Sequence, residues 1–296
     1  MTLRAAEREK RKLTPQEALE TLFSRISDVS AVPGVAEHVV QVSMNPRSTA
    51  EDLRLAIQRD PALVARILRH LNSAYYSLST KVMDLRRAIS LLGFREIRNL
   101  AMTVFVSRYF DSSSLFEEYS RQGLWHHCVG VAALSRVIAR VCGRAVPEEA
   151  YIAGLLHDIG YILLDQQMTR YFSRVVREIN FKTPISRVER RIYNFDHAQL
   201  GGYVLKRWSF PQSIVDAVEY HHHPERYTGR HKSLLNVVTI ANYLCSRFRW
   251  SALGIHNVAP PSNKTYAALQ IDQTTMRIIC NQIPATLERA IALAHP

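Results

Sequence analysis

Glycine and cysteine are scarce in this chain, acidic residues are in deficit, and no long apolar run is present. Only 11 glycines occur in 296 residues. Few stretches alternate Val, Ile or Thr with polar residues as strands do, and apolar residues recur instead at helical spacing, so the expected class is all-α with almost no sheet. The four cysteines (Cys128, Cys142, Cys245, Cys280) are widely spaced and form no CxxC pair. That spacing argues against a zinc knuckle or a disulfide framework and for small buried hydrophobes in a reduced compartment. The most apolar window, Tyr151 to Leu164, is interrupted by His157 and Asp158 and falls short of the roughly 20 residues a membrane span needs. The first dozen residues are polar and basic, with no apolar stretch behind them. No secretory signal and no membrane association are therefore expected, and the expected location is cytoplasmic.

The deficit of acids leaves 38 Lys and Arg against 26 Asp and Glu, a formal charge of +12. Arg4, Arg8, Lys10, Arg11 and Lys12 crowd the start of the chain. Arg170, Arg174, Arg177, Lys182, Arg187, Arg190 and Arg191 face only Glu178 and Glu189 along residues 168–191. Such a field suits a polyanion such as a nucleotide or nucleic acid. No nucleic-acid motif accompanies it, and solvated helix faces explain it as well, so nucleic acid is not the expected partner.

Helix starts are legible. Thr14-Pro15-Gln16-Glu17 puts threonine at an N-cap, proline at the first position and glutamate at the third. A second helix is expected after Pro33-Gly34 through Val39 and Val42, and a third after Thr49-Ala50-Glu51-Asp52. Asp60-Pro61 opens a helix whose stripe is Leu63, Val64, Ile67, Leu68 and Leu71. Gly93 follows Ala88 to Leu92 as a C-cap, and an apolar helix follows from Glu96 to about Tyr109. Asp111-Ser112-Ser113-Ser114 is the expected joint between two helical parts. Beyond it, helices are expected near 116–142, 147–164, 166–180, 184–193, 197–208, 212–222 and 233–248. A loop over Gly254–Lys264 and one or two closing helices complete the chain.

Six residues carry the chemistry: His127, His157, Asp158, His197, His221 and His222. Around His157-Asp158 the segment is apolar on every face (Tyr151, Ile152, Leu155, Leu156, Ile159, Ile162), which marks a buried helix. Burying an ionisable pair is costly unless each group is compensated, either by polar neighbours in a structural knot or by a metal ion. Neighbouring side chains project about 100° apart on a helix and can still converge on one ion beside its axis. The other histidines favour the metal. Imidazoles with one carboxylate suit a divalent transition metal: iron, manganese, nickel or zinc. His223 reads as a loop residue, and His38, His70, His231, His256 and His295 as ordinary surface or core residues.

The order His127, His157-Asp158, His197, His221-His222 resembles the ligand order of the HD phosphohydrolase superfamily, particularly its HD-GYP branch. The wider pattern resembles the HDOD family, or HD-related output domain. It comprises Asp60-Pro61-Ala62-Leu63, Leu68 through Asn72-Ser73-Ala74-Tyr75-Tyr76, Ala88-Ile89-Ser90-Leu91-Leu92-Gly93 and Leu124-Trp125-His126-His127. Gly154-Leu155-Leu156-His157-Asp158-Ile159-Gly160, Asp196-His197-Ala198-Gln199-Leu200-Gly201, Trp208-Ser209-Phe210-Pro211 and His221-His222-His223-Pro224 complete it. The resemblance covers roughly residues 20–250. It implies a compact, all-α, multi-helix HD-like fold with an N-terminal helical subdomain, and a bacterial regulatory role in two-component or cyclic-dinucleotide networks. The expected organisation is a basic extension (1–20), an N-terminal helical part (21–110), an HD-like part (111–250) and a C-terminal helical extension (251–296).

Two departures from the hydrolase pattern stand out. The superfamily closes its site with an aspartate from a late helix, and here Asn242 stands between Ala241 and Tyr243. The glycine-tyrosine-proline motif after the paired histidines is also missing, since His222 runs into His223-Pro224-Glu225-Arg226. Losing an anionic ligand weakens metal capture, and metal-assisted hydrolysis needs a bound ion to acidify water. The leading expectation is thus a signalling output or adaptor domain that binds proteins, with a degenerate metal site and no catalytic residues. The alternatives are an active phosphohydrolase on a nucleotide or cyclic dinucleotide, and a nucleic-acid-binding regulator supported by charge alone.

Overall fold

The computed structural model describes residues 14–25, 38–42, 45, 47–73, 76, 78–110, 119–179, 183–251, 253, 258 and 260–294. Among these residues every regular element is helical. The order is α1 (Pro15–Arg25), α2 (described over 38–42), α3 (Ala50–Ile57), α4 (Pro61–Leu71), α5 (Leu85–Ser107), α6 (Arg121–Cys142), α7 (Pro147–Leu156) and α8 (Ile159–Gln167). There follow α9 (Thr169–Glu178), α10 (Ile185–Tyr193), α11 (His197–Arg207), α12 (Gln212–Tyr220), a 3-10 turn (Pro224–Arg226), α13 (Lys232–Arg247), α14 (Asn263–Ala268) and α15 (Gln273–Ala294). No described helix is long and apolar enough to cross a membrane.

The caps fall where the sequence places them. Thr14 Oγ1 accepts from Glu17 N at 3.2 Å, and Glu17 Oε2 accepts from Thr14 N at 2.7 Å. Thr49 and Asp52 form the same reciprocal box at α3, and Asp60 caps α4 ahead of Pro61. Gly93 interrupts α5 with φ 80°, a conformation that L side chains rarely adopt. Its apolar second half begins at once, sooner than expected. Pro33-Gly34, Asp111–Ser114 and residues 254–257 and 259 of the expected loop lie outside the described residues, and α14 begins at Asn263, before the expected end of that loop.

The largest departure concerns the stretch expected as one helix over 147–164. It is two helices, α7 and α8, separated at His157-Asp158. The His157 ring turns back on its own helix, with Nδ1 2.8 Å from the Gly154 carbonyl. Asp158 leaves the helical region at φ −105°, ψ 15°. The break, rather than the 100° step of a continuous helix, aims both side chains at one point.

Helix α6 is the spine, packed against α7, α13 and α15. Its inward face (Leu124, Cys128, Val131, Leu134, Ile138) is fully buried, as are Ile152 and Leu155 across from it. Each such large aliphatic side chain stabilises the fold by about 1.5–3 kcal/mol relative to exposure. Trp125 Nε1 donates to the Ala294 carbonyl at 3.1 Å, fixing the end of α15 over α6. Helices α3 and α4 pack on α5, which meets α7 through a Thr103–Tyr151 hydroxyl contact of 2.8 Å. Helices α8, α11, α12 and α13 close the opposite side and, with α6, surround the His/Asp cluster.

Candidate metal centre

Each of the six residues is fixed by a local device. His127 lies on the buried face of α6, between Leu124 and Val131 in the helical repeat. His157 and Asp158 occupy the α7–α8 break. His197 is the first residue of α11, behind an Asp196–Gln199 capping box. His221 caps the C-terminus of α12, and His222 follows it out of the helix. All but His222 are buried.

The structure brings all six together around Asp158. One carboxylate oxygen, Oδ2, lies 3.2 Å from His157 Nε2 and 3.5 Å from His127 Nε2. The other, Oδ1, lies 3.3 Å from His197 Nε2 and 3.6 Å from His221 Nε2. His222 Nε2 is 2.9 Å from His197 Nε2. Asp158 is thus shared by two ligand groups, His127 with His157 and His197 with His221 and His222, whose donor atoms lie within 4.8 Å of one another in each group.

Whether these residues fit a cation follows from their hydrogen bonds. His127 Nδ1 is 2.6 Å from the Trp250 carbonyl, His157 Nδ1 2.8 Å from that of Gly154, and His221 Nδ1 2.7 Å from that of Val218. A carbonyl only accepts, so each Nδ1 carries a proton, and in the neutral ring Nε2 then holds the lone pair. Those lone pairs face a carboxylate that also only accepts. His157 Nε2, His221 Nε2 and Asp158 Oδ1 accordingly lie buried with no hydrogen-bond partner. A nest of acceptors converging on acceptors is costly in a dry interior and is resolved by a positive ion between them. The residues fit a divalent transition metal, held by imidazole nitrogens and one carboxylate.

Electrostatics agree for three of the rings. Burial, with His157 alongside, pushes His127 down to about 4, and burial also lowers His221 and His222. These rings are therefore neutral and able to ligate at physiological pH. Burial opposes ionisation of Asp158, yet positive charge at His157 and N–H donation from His157, His197 and His221 hold it well below the ordinary carboxylate range, the role a cation in the same place would take over. Burial would likewise lower His197, but Glu189 beyond Nδ1 and Asp158 beyond Nε2 together raise it to about 10, so without a cation this ring is protonated and it must release its Nε2 proton to ligate one.

A cavity of about 60 Å³ opens beside the cluster, lined by His127, Asp158, Tyr161, Ile185, His222, Asn242, Ser246, Ser251, Leu253 and Val258. Asn242 therefore faces the site, within side-chain hydrogen-bonding reach of His127. His223 turns away to Arg190 and Glu225. His231 pairs with Asp216 at 2.7 Å, and His70 is buried on α4. His38 lies on α2, and His256 and His295 fall outside the described residues.

Three participants escaped sequence reasoning. Glu189 Oε2 lies 2.7 Å from His197 Nδ1; the visible signal was a carboxylate on the apolar stripe Ile185, Val188, Ile192, Tyr193 of α10. Tyr161 stacks on the His197 ring with centroids 3.9 Å apart. The Trp250 carbonyl, which orients His127, comes from a stretch with no motif.

An all-helical bundle enclosing a histidine/aspartate centre at a broken helix defines the class as HD-like. Within it, the chain belongs to the HDOD domain family, whose family model matches residues 29–224. An uncharacterised protein of Treponema pallidum (strain Nichols) is 24% identical over 226 residues, 75% of this chain and 43% of its own length. The chain spans less than half the length of the curated relatives it matches. An HDOD domain protein of unknown function from Geobacter sulfurreducens superposes with a TM-score of 0.81 at 23% identity, over 95% of this chain and 97% of that one. A provisionally assigned signal transduction protein from Marinobacter aquaeolei VT8 gives 0.78 at 22% identity, over 94% of this chain and 64% of that one.

Proposed function

We propose that the protein is an output or adaptor domain of bacterial signalling, in which the metal centre organises the fold and catalyses no hydrolysis. The observation that carries this reading is the wall of the cavity beside the cluster. The position facing His127 is Asn242, a neutral amide, and among the described residues no Lys or Arg lines the cavity. Phosphoryl transfer relies on cationic groups aimed at the transferring oxygens, in addition to any metal. The cavity, about 60 Å³, is also far below the roughly 300–1,000 Å³ of ligand pockets for drug-sized molecules. Support for a signalling role comes from the family and from the Marinobacter neighbour's assignment. A metal held by His127, His157, Asp158, His197, His221 and His222 supplies Lewis acidity when bound. In this chain the surrounding residues would hold it, beside a cavity of only about 60 Å³.

The convergence of all six ligand-type residues favours a second reading, a metal-dependent phosphohydrolase acting on a nucleotide or cyclic dinucleotide. Assaying metal-loaded protein against cyclic di-GMP and a phosphomonoester separates the two. The adaptor reading expects background rates. Turnover that disappears in Asp158→Ala promotes the enzyme.

A further inference from the structure

Four imidazoles reach the Asp158 carboxylate directly; three of them donate Nδ1–H to neutral carbonyls, and the fourth, His197, donates to a carboxylate. That carboxylate, Glu189, is fully buried on α10. Its Oε2 accepts from His197 Nδ1 at 2.7 Å and from the His197 backbone N–H at 3.2 Å. Its Oε1 is buried with no hydrogen-bond partner. The adjacent cation does not serve it. Arg190 directs Nε to the Ser186 carbonyl at 3.0 Å and Nη2 to His223 at 2.7 Å, and lies 3.6 Å from Asp196. Glu189 therefore has one described ion-pair partner, the His197 ring, and beyond that ring stands Asp158.

A buried carboxylate is expensive unless positive charge compensates it. Here the compensation runs through one imidazole toward the centre. Asp158 alone gives a divalent cation a single negative charge, and Asn242 adds none. A second negative charge brings the centre to neutrality, which a dry interior favours. A carboxylate behind a ligating histidine also makes the facing nitrogen a better donor and holds the ring plane. Tyr161, stacked on the same ring at 3.9 Å, holds that plane from the side.

The geometry points to Glu189 as a positioning residue of the metal centre, supplying through His197 the second negative charge that Asn242 cannot. This rests on the reading of the cluster as a metal site, and the test separates the two. Full-length protein is stripped with a chelator and titrated with Zn²⁺ by calorimetry, as wild type, Glu189→Gln and Glu189→Asp. Melting temperatures are recorded with and without Zn²⁺. Glu189→Gln keeps the shape and the acceptor for Nδ1 while removing the charge. The expected result is a loss of Zn²⁺ affinity of about 10–100-fold, a smaller metal-induced rise in Tm, and partial recovery in Glu189→Asp. A merely structural role instead lowers Tm equally in metal-free and loaded protein at unchanged affinity, and that outcome overturns the inference. Wild-type affinity retained in Glu189→Gln overturns it alone. A wild type that binds no Zn²⁺ overturns the metal reading, and this inference falls with it.

Discussion

Gly160 and His197 meet backbone to backbone: a Cβ on Gly160 would lie 2.0 Å from the His197 carbonyl oxygen and 3.0 Å from its Cα. The start of α8 is thus pressed on the start of α11, and the next residue, Tyr161, lies flat on the His197 ring. One glycine, two residues beyond Asp158, sets the distance between Asp158 and the histidine opposite it. Gly160→Ala must push two helix starts apart, because the obstructing atoms are backbone. The expected loss is about 1–3 kcal/mol or more, read as a lowered Tm, together with weaker metal binding as His197 moves. An unchanged Tm would show that α8 and α11 separate freely.

Asp216 yields a pH dependence away from the metal centre. It accepts from Gln212 at 2.7 Å, Tyr227 at 2.6 Å and His231 at 2.7 Å. Burial opposes its ionisation, but these partners, His231 first, hold it below the ordinary carboxylate value. A depressed folded-state pKa gives stability that is fully present above the unfolded value, about 3.9, and is lost as pH falls through the folded one. Asp216→Asn should therefore cost about 1 kcal/mol near neutrality, allowing for solvent screening. The gap to wild type should close below about pH 4. Denaturant melts of both proteins across that range measure it, and a gap that persists in acid would contradict the account.

Asn242 faces the cavity beside His127, and Asn242→Asp is nearly isosteric. With metal bound, the new carboxylate stays ionised and strengthens binding; without metal, it is a carboxylate in a crowded pocket and destabilises. The metal-loaded variant should therefore melt above its metal-free form by a wider margin than wild type does. Calorimetry on loaded and chelated samples of both proteins reads the difference. Unchanged affinity with lower stability in both forms would mean that Asn242 stands outside the coordination sphere.

Much of this organisation is legible in the sequence. Thr14, Thr49 and Asp60 mark helix starts because a short acceptor side chain answers the unpaired N–H groups of a first turn, a purely local effect. The six residues of the Asp158 cluster are legible because charge and imidazole on apolar segments demand an explanation. The α7–α8 break was hidden, since apolar residues continue at helical spacing on both sides of His157-Asp158 and no proline or glycine marks a stop between them, while Gly160 meets α11 only in the folded chain. Glu189 was hidden for a related reason. It stands among Arg187, Arg190 and Arg191 in sequence, and only the packing of α10 on α11 turns it away from them toward His197.

The central claim is that the cluster around Asp158 is a metal centre, and elemental analysis tests it most directly. Wild type and His157→Ala are purified without added metal, checked for helical content by circular dichroism, and measured for iron, manganese, nickel and zinc. The account expects a transition metal at substantial occupancy in wild type and its loss in folded His157→Ala. No transition metal in wild type, even after incubation with each ion and removal of the excess, would contradict it. So would equal content in the two proteins.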